Sequence, residues 1–406
     1  MFTVAKLALR NVFRNKGRSA LTCGAIGLGV LMTMLLGGFV FGLTGIIVDD
    51  VIQGRTGAIQ VHLRGYDNVK DNLPLDFDMP YGGELQTKIA AVPGVTAVSG
   101  RILFAGSLNN GTRNTFVVGN AHDAATESKV CPKGSRGLEG QPLTVGQDGK
   151  GVLGFELAEA LGAQLGAQMV VQAAAKDGQQ NALDVEVAGT VNNNLPFESK
   201  RMVYVPLPLA QSLLKLEGRV TEYVVAIADL EQLESVAAQM QAALGAQYHV
   251  QTWKELRPQV VDIVKTQRVV LLAVCFVFLV IAVIGVMNTM LMAVLERTRE
   301  IGTMMAVGVR RGRITGLFLS EAAAMALLGT GFGTTLGFAI LAAIASKGGV
   351  PVTPPGSKAL VQLIPAVPTW LVLVVVATTA LATVLAAVYP AWRASQLRPV
   401  EALRAI

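Results

Sequence analysis

The chain has 406 residues, of which 15% are charged and 52% hydrophobic, with a mean hydropathy of +0.49. Soluble globular proteins carry about 25% charged residues, so the composition excludes an ordinary soluble enzyme and predicts a membrane protein; at roughly 150 residues per domain the length predicts two or three domains. The excess of 34 Lys+Arg over 28 Asp+Glu clusters beside apolar runs rather than in a dispersed patch, which argues against a nucleic-acid partner.

In chain order, residues 1–18 place Lys6, Arg10 and Arg14 on one helical face and Phe2, Leu9, Val12 and Phe13 on another, the pattern of a helix lying in the membrane interface; a plain basic cytosolic tail is the alternative. Residues 19–48 carry no Asp, Glu, Lys or Arg. This run is too long for a signal-peptide core and lacks a clear small-residue cleavage site, so it reads as an uncleaved anchor, span 1. Residues 49–265 hold most of the Asp, Pro and Tyr and alternate short strands with helices, predicting an α+β extracytoplasmic domain of two lobes with its own core. Strands are expected over 58–63, 95–104, 115–118, 168–173, 185–191, 202–205 and 223–227, and helices over 84–91, 156–161 and 230–244, the last with Asp229 as N-cap and Gly245 as stop. Residues 266–295 form span 2, 296–313 a charged cytoplasmic segment, 314–346 span 3, 347–368 a connector rich in proline (Pro351, Pro354, Pro355, Pro365, Pro368), 369–390 span 4 and 391–406 a tail. The connector is either a lid between spans 3 and 4 or a plain linker.

A hydrocarbon core needs roughly 20 apolar residues per helix, and each of the four spans supplies them. Lys and Arg flank span 1 on its N-terminal side (Lys6, Arg10, Arg14, Lys16, Arg18), separate spans 2 and 3 (Arg297, Arg299, Arg310, Arg311, Arg313) and follow span 4 (Arg393, Arg398, Arg404). Basic flanks stay cytoplasmic, so both termini are expected inside and the large domain outside.

Catalytic signatures are absent from the sequence. There is no G-x-x-x-x-G-K-[ST] loop, the string 146–151 lacking the Ser or Thr after its Lys, and neither G-x-S-x-G nor H-E-x-x-H occurs. The chain therefore carries no ATPase motif of its own. His62, His122 and His249 are scattered without ligand spacing, reading as surface or core residues rather than metal ligands, and Cys23, Cys131 and Cys275 make no disulfide framework. No catalytic residue, metal or cofactor is assigned to this chain. Gly38 and Gly42 in span 1, and Gly329, Gly333 and Gly337 in span 3, recur every fourth residue, a spacing that lets helix backbones approach closely in lipid. Asn288 is expected to hydrogen-bond a neighbouring helix. Glu321, the acidic residue within span 3, either serves an interhelical bond or snorkels outward, or has a coupling or proton role.

From Asn288 to Ala322 the chain reads NTMLMAVLERTREIGTMMAVGVRRGRITGLFLSEA. Span 2 runs into Glu296, Arg297, Arg299 and Glu300; a short apolar helix over 301–307 follows, and Gly308 ends it before three arginines. An apolar knob between charges either needs a partner or lies on the bilayer. This stretch resembles the signature of the MacB/LolE/FtsX-type ABC transporter permeases, close to ERTREIGxxxAxGxxxxxIxxxFLxEA, and YPAWRASQLRPVEALR at 389–404 is similar to the family's closing motif. The resemblance is nearest to LolC/LolE-like lipoprotein-releasing permeases, since no ATPase is fused to the chain. It implies a porter-like lobe from the ends of the large domain and an inserted sabre-like lobe from its middle. It also implies a dimer with a second permease copy or a paralogue, two copies of a cytoplasmic ABC ATPase holding ATP and Mg, a periplasmic carrier or adaptor, membrane lipids, and placement in a bacterial inner membrane. On the matching positions Glu296, Arg297, Arg299, Glu300, Ile301, Gly302, Ala306 and Gly308, with apolar Met304, Met305 and Val307, fall in the ATPase-coupling segment, and Pro390, Ala391, Pro399, Glu401 and Arg404 in the tail motif. The implied function is ATP-driven extraction of lipoproteins or other amphipathic cargo from the outer leaflet. MacB-like export with an adaptor and outer-membrane duct, and FtsX-like signalling to a cell-wall hydrolase, are the alternatives. The stretch 173–182 is short and lacks proline, which argues against a carrier-hooking hairpin.

Overall fold

The computed structural model describes residues 16–135, 137–192, 196–353 and 360–397. The expected interfacial helix up to residue 15, Pro354 and Pro355 of the connector, and Arg398, Pro399, Glu401 and Arg404 of the tail lie outside them. The chain divides into two compact units, one from the chain up to Gly45, Ile263–Val350 and the chain from Gln362, the other from Ile46–Asp262 and Pro351–Val361.

The second unit is an α+β domain. Its strands are β1 (Ile59–Leu63), β2 (Met79–Pro80), β3 (Val95–Asn109), β4 (Asn114–His122), β5 (Leu138–Gly140), β6 (Lys150–Gly154), β7 (Gln168–Ala174), β8 (Gln180–Val191), β9 (Met202–Pro206), β10 (Arg219–Val220), β11 (Glu222–Ile227) and β12 (Tyr248–Thr252). Its α-helices are α1 (Gly83–Ala90), α2 (Ala124–Val130), α3 (Phe155–Leu161), α4 (Pro196–Arg201), α5 (Leu207–Leu214), α6 (Leu233–Leu244) and α7 (Trp253–Leu256). Asp229 caps a short 3-10 turn, its carboxylate accepting from the Glu231 amide, and Gly245 ends α6 with a left-handed φ of 82°.

Ten strands form one mixed sheet in the order β12-β1-β11-β3-β4-β9-β6-β8-β5, with β7 bridging β3 and β8. β4–β9 and β6–β8 are parallel pairs. The path β3-β4-β9-β6-β8-β7 returns to β3, so six strands close on themselves. The expected two lobes thus take a definite form: the segment's ends supply the open sheet β12-β1-β11-β3, and its middle supplies the closed ring. Strand β3, 15 residues long, belongs to both. Its first half pairs with β11 through Arg101↔Glu222, and its second half with β7 through Gly106↔Ala173.

Strand alternation sorts the side chains. Ile59, Val61, Val98, Ile102, Phe104, Val117, Val203, Tyr223 and Val225 point into one large apolar core, each fully buried Val, Leu or Ile contributing about 1.5–3 kcal/mol. A methyl group at Gly119 would overlap the Phe104 ring, so glycine there lets the ring fold over β4.

The first unit contains four helices long and apolar enough to cross a membrane: span 1 over Lys16–Val51, span 2 over Pro258–Glu296, span 3 over Arg311–Ser346 and span 4 over Thr369–Ser395. Spans 1 and 3 meet along small residues. A Cβ on Gly329 would lie 2.8 Å from Ile26 Cβ, one on Gly333 would overlap the Gly27 carbonyl oxygen, and one on Gly337 would lie 3.2 Å from Met34 Cβ. Gly38 and Gly42 admit the connector rather than only a helix: Ala366 donates to the Gly38 carbonyl at 3.1 Å, and a Cβ on Gly42 would lie 2.7 Å from the Ile364 carbonyl. Asn288 is exposed on span 2 and bonds no neighbouring helix among the described residues, because its helical position faces away from the bundle.

Candidate functional site

The charged segment after span 2 folds as a short helix, α8 (Thr298–Ala306), on which Ile301 and Gly302 are buried. Ile301 joins Val294, Ile314, Phe318, Ala391 and Ala394 in one apolar cluster, with Met304, Met305 and Val309 packed partly against it. Pro390 and Ala391 of the tail motif are buried at the end of span 4, so this part of the motif closes the packing beneath α8. Gly308, at φ 93°, turns the chain out of α8. The opposite face is open: Arg299, Glu300, Thr303 and Ala306 are exposed, and Val307 is 86% exposed.

Arg297 does not share that open face. It is 8% exposed and Glu321 5%, and the Arg297 Nη1 donates to Glu321 Oε2 at 3.2 Å. Ser19, Thr289, Met290, Ala293 and Met325 surround the pair. Residues assigned together from the sequence therefore divide: Arg299, Glu300, Ala306 and Val307 form a surface, Ile301 and Gly302 seat it, and Arg297 ties it to span 3 through Glu321. Glu296 is exposed at the end of span 2.

A second cluster lies in the domain, on the polar face of the sheet. Register places His249, His62, Glu222, Arg101 and His122 in one row across β12, β1, β11, β3 and β4. Arg101 is 4% exposed. Its Nε donates to Glu127 Oε2 at 3.1 Å, its Nη1 to the Arg55 carbonyl at 2.5 Å and its Nη2 to Cys131 Sγ at 3.1 Å, while Glu222 Oε1 lies 3.7 Å from Nη1. Glu127 also accepts from Ser99 at 2.9 Å. Burial opposes ionisation of Glu127, but the Arg101 guanidinium, with the bonds from Arg101 and Ser99, outweighs it and holds the carboxyl at about 2. Burial pushes the Cys131 thiol up to about 11, the nearby Arg101 only moderating it. His62 Nε2 lies 3.3 Å from Glu222 Oε2, and its ring stacks on Tyr66 with centroids 4.5 Å apart. Among the described residues no group of three or more His, Cys, Asp or Glu is arranged to hold a metal ion.

Sequence reasoning took these histidines singly and missed the row. Its only trace is a charged or imidazole residue at an outward position of five separate strands, and the strand register is what brings them together.

Residues 19–243 match the family model described as the MacB-like periplasmic core domain, and residues 272–399 match the FtsX-like permease C-terminal model. Among curated relatives, a macrolide export ATP-binding/permease protein MacB of Nitrobacter winogradskyi is 32% identical over 232 residues, covering 52% of this chain and 34% of that protein. The protein of the same description from Shewanella oneidensis is 36% identical over 148 residues, covering 36% of this chain and 21% of its own. The matched region thus spans about a third or less of each relative's length. Among solved structures, the periplasmic region of MacB from Actinobacillus actinomycetemcomitans aligns with a TM-score of 0.36 at 13% identity, covering 52% of this chain and 95% of that one. The extracellular domain of the ABC-type transporter YknZ aligns with a TM-score of 0.33 at 17% identity, covering 48% of this chain and 100% of that one.

Proposed function

The chain belongs to the permease family defined by a MacB-like periplasmic core domain and an FtsX-like C-terminal domain, and on that premise we propose that it is the membrane subunit of an ABC transporter driven by a separate cytoplasmic ATPase. The observation that carries the proposal is the build of α8. Its exposed face offers Arg299, Glu300 and Val307 to a partner, while Ile301 and the Arg297–Glu321 pair fasten it to spans 3 and 4. A push on that face passes into the bundle as motion of packed helices rather than as bending of a loop.

In this reading two ATPase copies hold ATP and Mg, a second permease copy or a paralogue completes a dimer, both termini are cytoplasmic in a bacterial inner membrane, and the α+β domain works in the periplasm. Asn288 favours the dimer, because a polar side chain on an outward helix face in lipid is best satisfied by another helix. The cargo is a lipoprotein or other amphipathic molecule taken from the outer leaflet, with a periplasmic carrier or adaptor receiving it. Export of small molecules is the second reading, favoured by the macrolide-export description of the relatives.

The test is native mass spectrometry of the chain purified from its own cells in mild detergent, alongside Arg299→Glu/Val307→Asp. The wild type should carry two ATPase subunits, and the variant should insert normally but lose them. Undiminished ATPase retention by the variant overturns the coupling assignment. Retained lipidated protein supports extraction, and an adaptor with drug-sized cargo moves the assignment to export.

A further inference from the structure

The outward side of span 4 changes chemistry along its length. Leu381 and Leu385 are 62% and 60% exposed, Tyr389 and Trp392 51% and 56%, and Arg393 and Gln396 follow, exposed as well. At about 100° per residue these positions share one face of the helix, opposite Ala387, Ala391 and Ala394, which are buried in the clusters that hold the bundle together. Aliphatic, then aromatic, then basic side chains along one exposed stripe is the order in which a helix passes from hydrocarbon into the head-group layer, where Trp and Tyr concentrate.

A second basic side chain reaches this stripe from another helix. Arg311, in the first turn of span 3, donates from Nη1 to Gln396 Oε1 at 3.3 Å, which sets its guanidinium about one helical turn from Arg393. Both arginines are exposed, and among the described residues no carboxylate pairs with either. Two like charges are thus held near each other at the edge of an aromatic surface. An anion between them relieves their repulsion and takes charge-assisted bonds from both planar forks. The apolar stretch on the same face selects a lipid over a free anion, because acyl chains can follow Leu385 and Leu381 while the phosphate meets the arginines.

We propose that Arg311 and Arg393, with Trp392 and Tyr389 beside them, bind the head group of an anionic phospholipid on the outward face of span 4, its acyl chains lying along Leu385 and Leu381. The site rests on the proposed function only for the leaflet it meets, the cytoplasmic one. Liposomes with one composition in both leaflets remove that dependence, so an error in orientation leaves the result unchanged and an error in the site does not.

The test reconstitutes the full chain carrying Trp370→Phe in mixtures of phosphatidylglycerol and phosphatidylcholine, with each lipid in turn brominated in its acyl chains, and reads tryptophan quenching across the mixing ratio. Of the chain's three tryptophans, Trp253 is 8% exposed in the core of the α+β domain and supplies a constant background, so the quenched signal reports Trp392. Phosphatidylglycerol should displace phosphatidylcholine there with about tenfold preference, equivalent to about 1.4 kcal/mol. Arg311→Gln/Arg393→Gln should bring the preference close to unity, and Arg311→Lys/Arg393→Lys should keep most of it because the charge remains. Arg310→Gln/Arg313→Gln removes the same charge elsewhere, Arg313 leaving span 3 about 200° around from Arg311, and should leave the preference intact. Equal quenching by the two lipids with the arginines present, a preference that survives Arg311→Gln/Arg393→Gln, or one lost equally in Arg310→Gln/Arg313→Gln, as for general surface charge, overturns the proposal. Quenching by neither lipid, as when a second copy of this chain covers Trp392, overturns it too.

Discussion

Removing Glu321 while keeping Arg297 should be among the most damaging single changes in the helical unit. The two side chains are 8% and 5% exposed and meet at 3.2 Å. Unit charges at that separation attract by about 5 kcal/mol at an effective dielectric of about 20, and breaking a buried pair from one side typically costs about 3–5 kcal/mol because the other charge is stranded. Arg297 Nε is itself buried without a partner, so removing Glu321 leaves an already under-bonded guanidinium charge with one bond fewer. Glu321→Leu should therefore lose about 3–5 kcal/mol. Arg297→Met combined with Glu321→Leu should recover most of it, because neither desolvated charge remains. Unfolding equilibria of the two single variants and the double variant, measured by steric trapping in bicelles, give the coupling energy directly. A loss below about 1 kcal/mol for Glu321→Leu, or a double variant no more stable than that single one, would refute the reasoning.

Gly333→Val should destabilise the same unit by about 1–3 kcal/mol, because a Cβ there would overlap the Gly27 carbonyl, whereas Gly331→Ala, with nothing within 4 Å, should be neutral or slightly stabilising; thermal unfolding in nanodiscs separates the two. Glu127 titrates at about 2 in the folded domain, below its ordinary 4.5. Its stabilisation is accordingly complete above about pH 4.5 and lost as pH falls toward 2, up to about 3 kcal/mol. Thermal denaturation between pH 5 and 2 should show that loss in the wild type, and Glu127→Gln should flatten it; equal acid sensitivity would contradict the assignment. With Cys23 and Cys275 replaced by Ala, Cys131, 4% exposed and with its thiol pushed up to about 11, should resist maleimide at pH 7.5 and react once the protein is denatured. Rapid labelling of the native protein would show that the thiol is not held against Arg101 and the Ile52 carbonyl.

Long apolar runs made the spans legible, and period-two alternation exposed strands such as β1 and β7. Strand β6 escaped because its sequence, KGVLG, offers only two β-branched or aliphatic residues between glycines. Its strand character comes from parallel pairing with β8. Helix α5 escaped because it continues the apolar run of β9, with Pro208 in its first turn marking the change. The α8 segment was visible as a charged, apolar and glycine pattern, but pattern cannot say which charge turns inward. Arg297 and Arg299 are two residues apart, and only the break between span 2 and α8 decides that Arg297 meets Glu321. The polar row was beyond reach for a related reason: positions 62, 101, 122, 222 and 249 are neighbours only after five strands have chosen their register.

Because β3 is common to the open sheet and the closed ring, the two halves of the domain are spliced through fifteen consecutive residues. Tension along that strand loads its ladders in shear, where many hydrogen bonds must fail together; a pull across an outer strand breaks them one at a time. Mechanically the domain is a single beam whose weak points are its margins, the five residues of β12 and the three of β5, and stretching it should peel those strands before it parts the ring from the sheet.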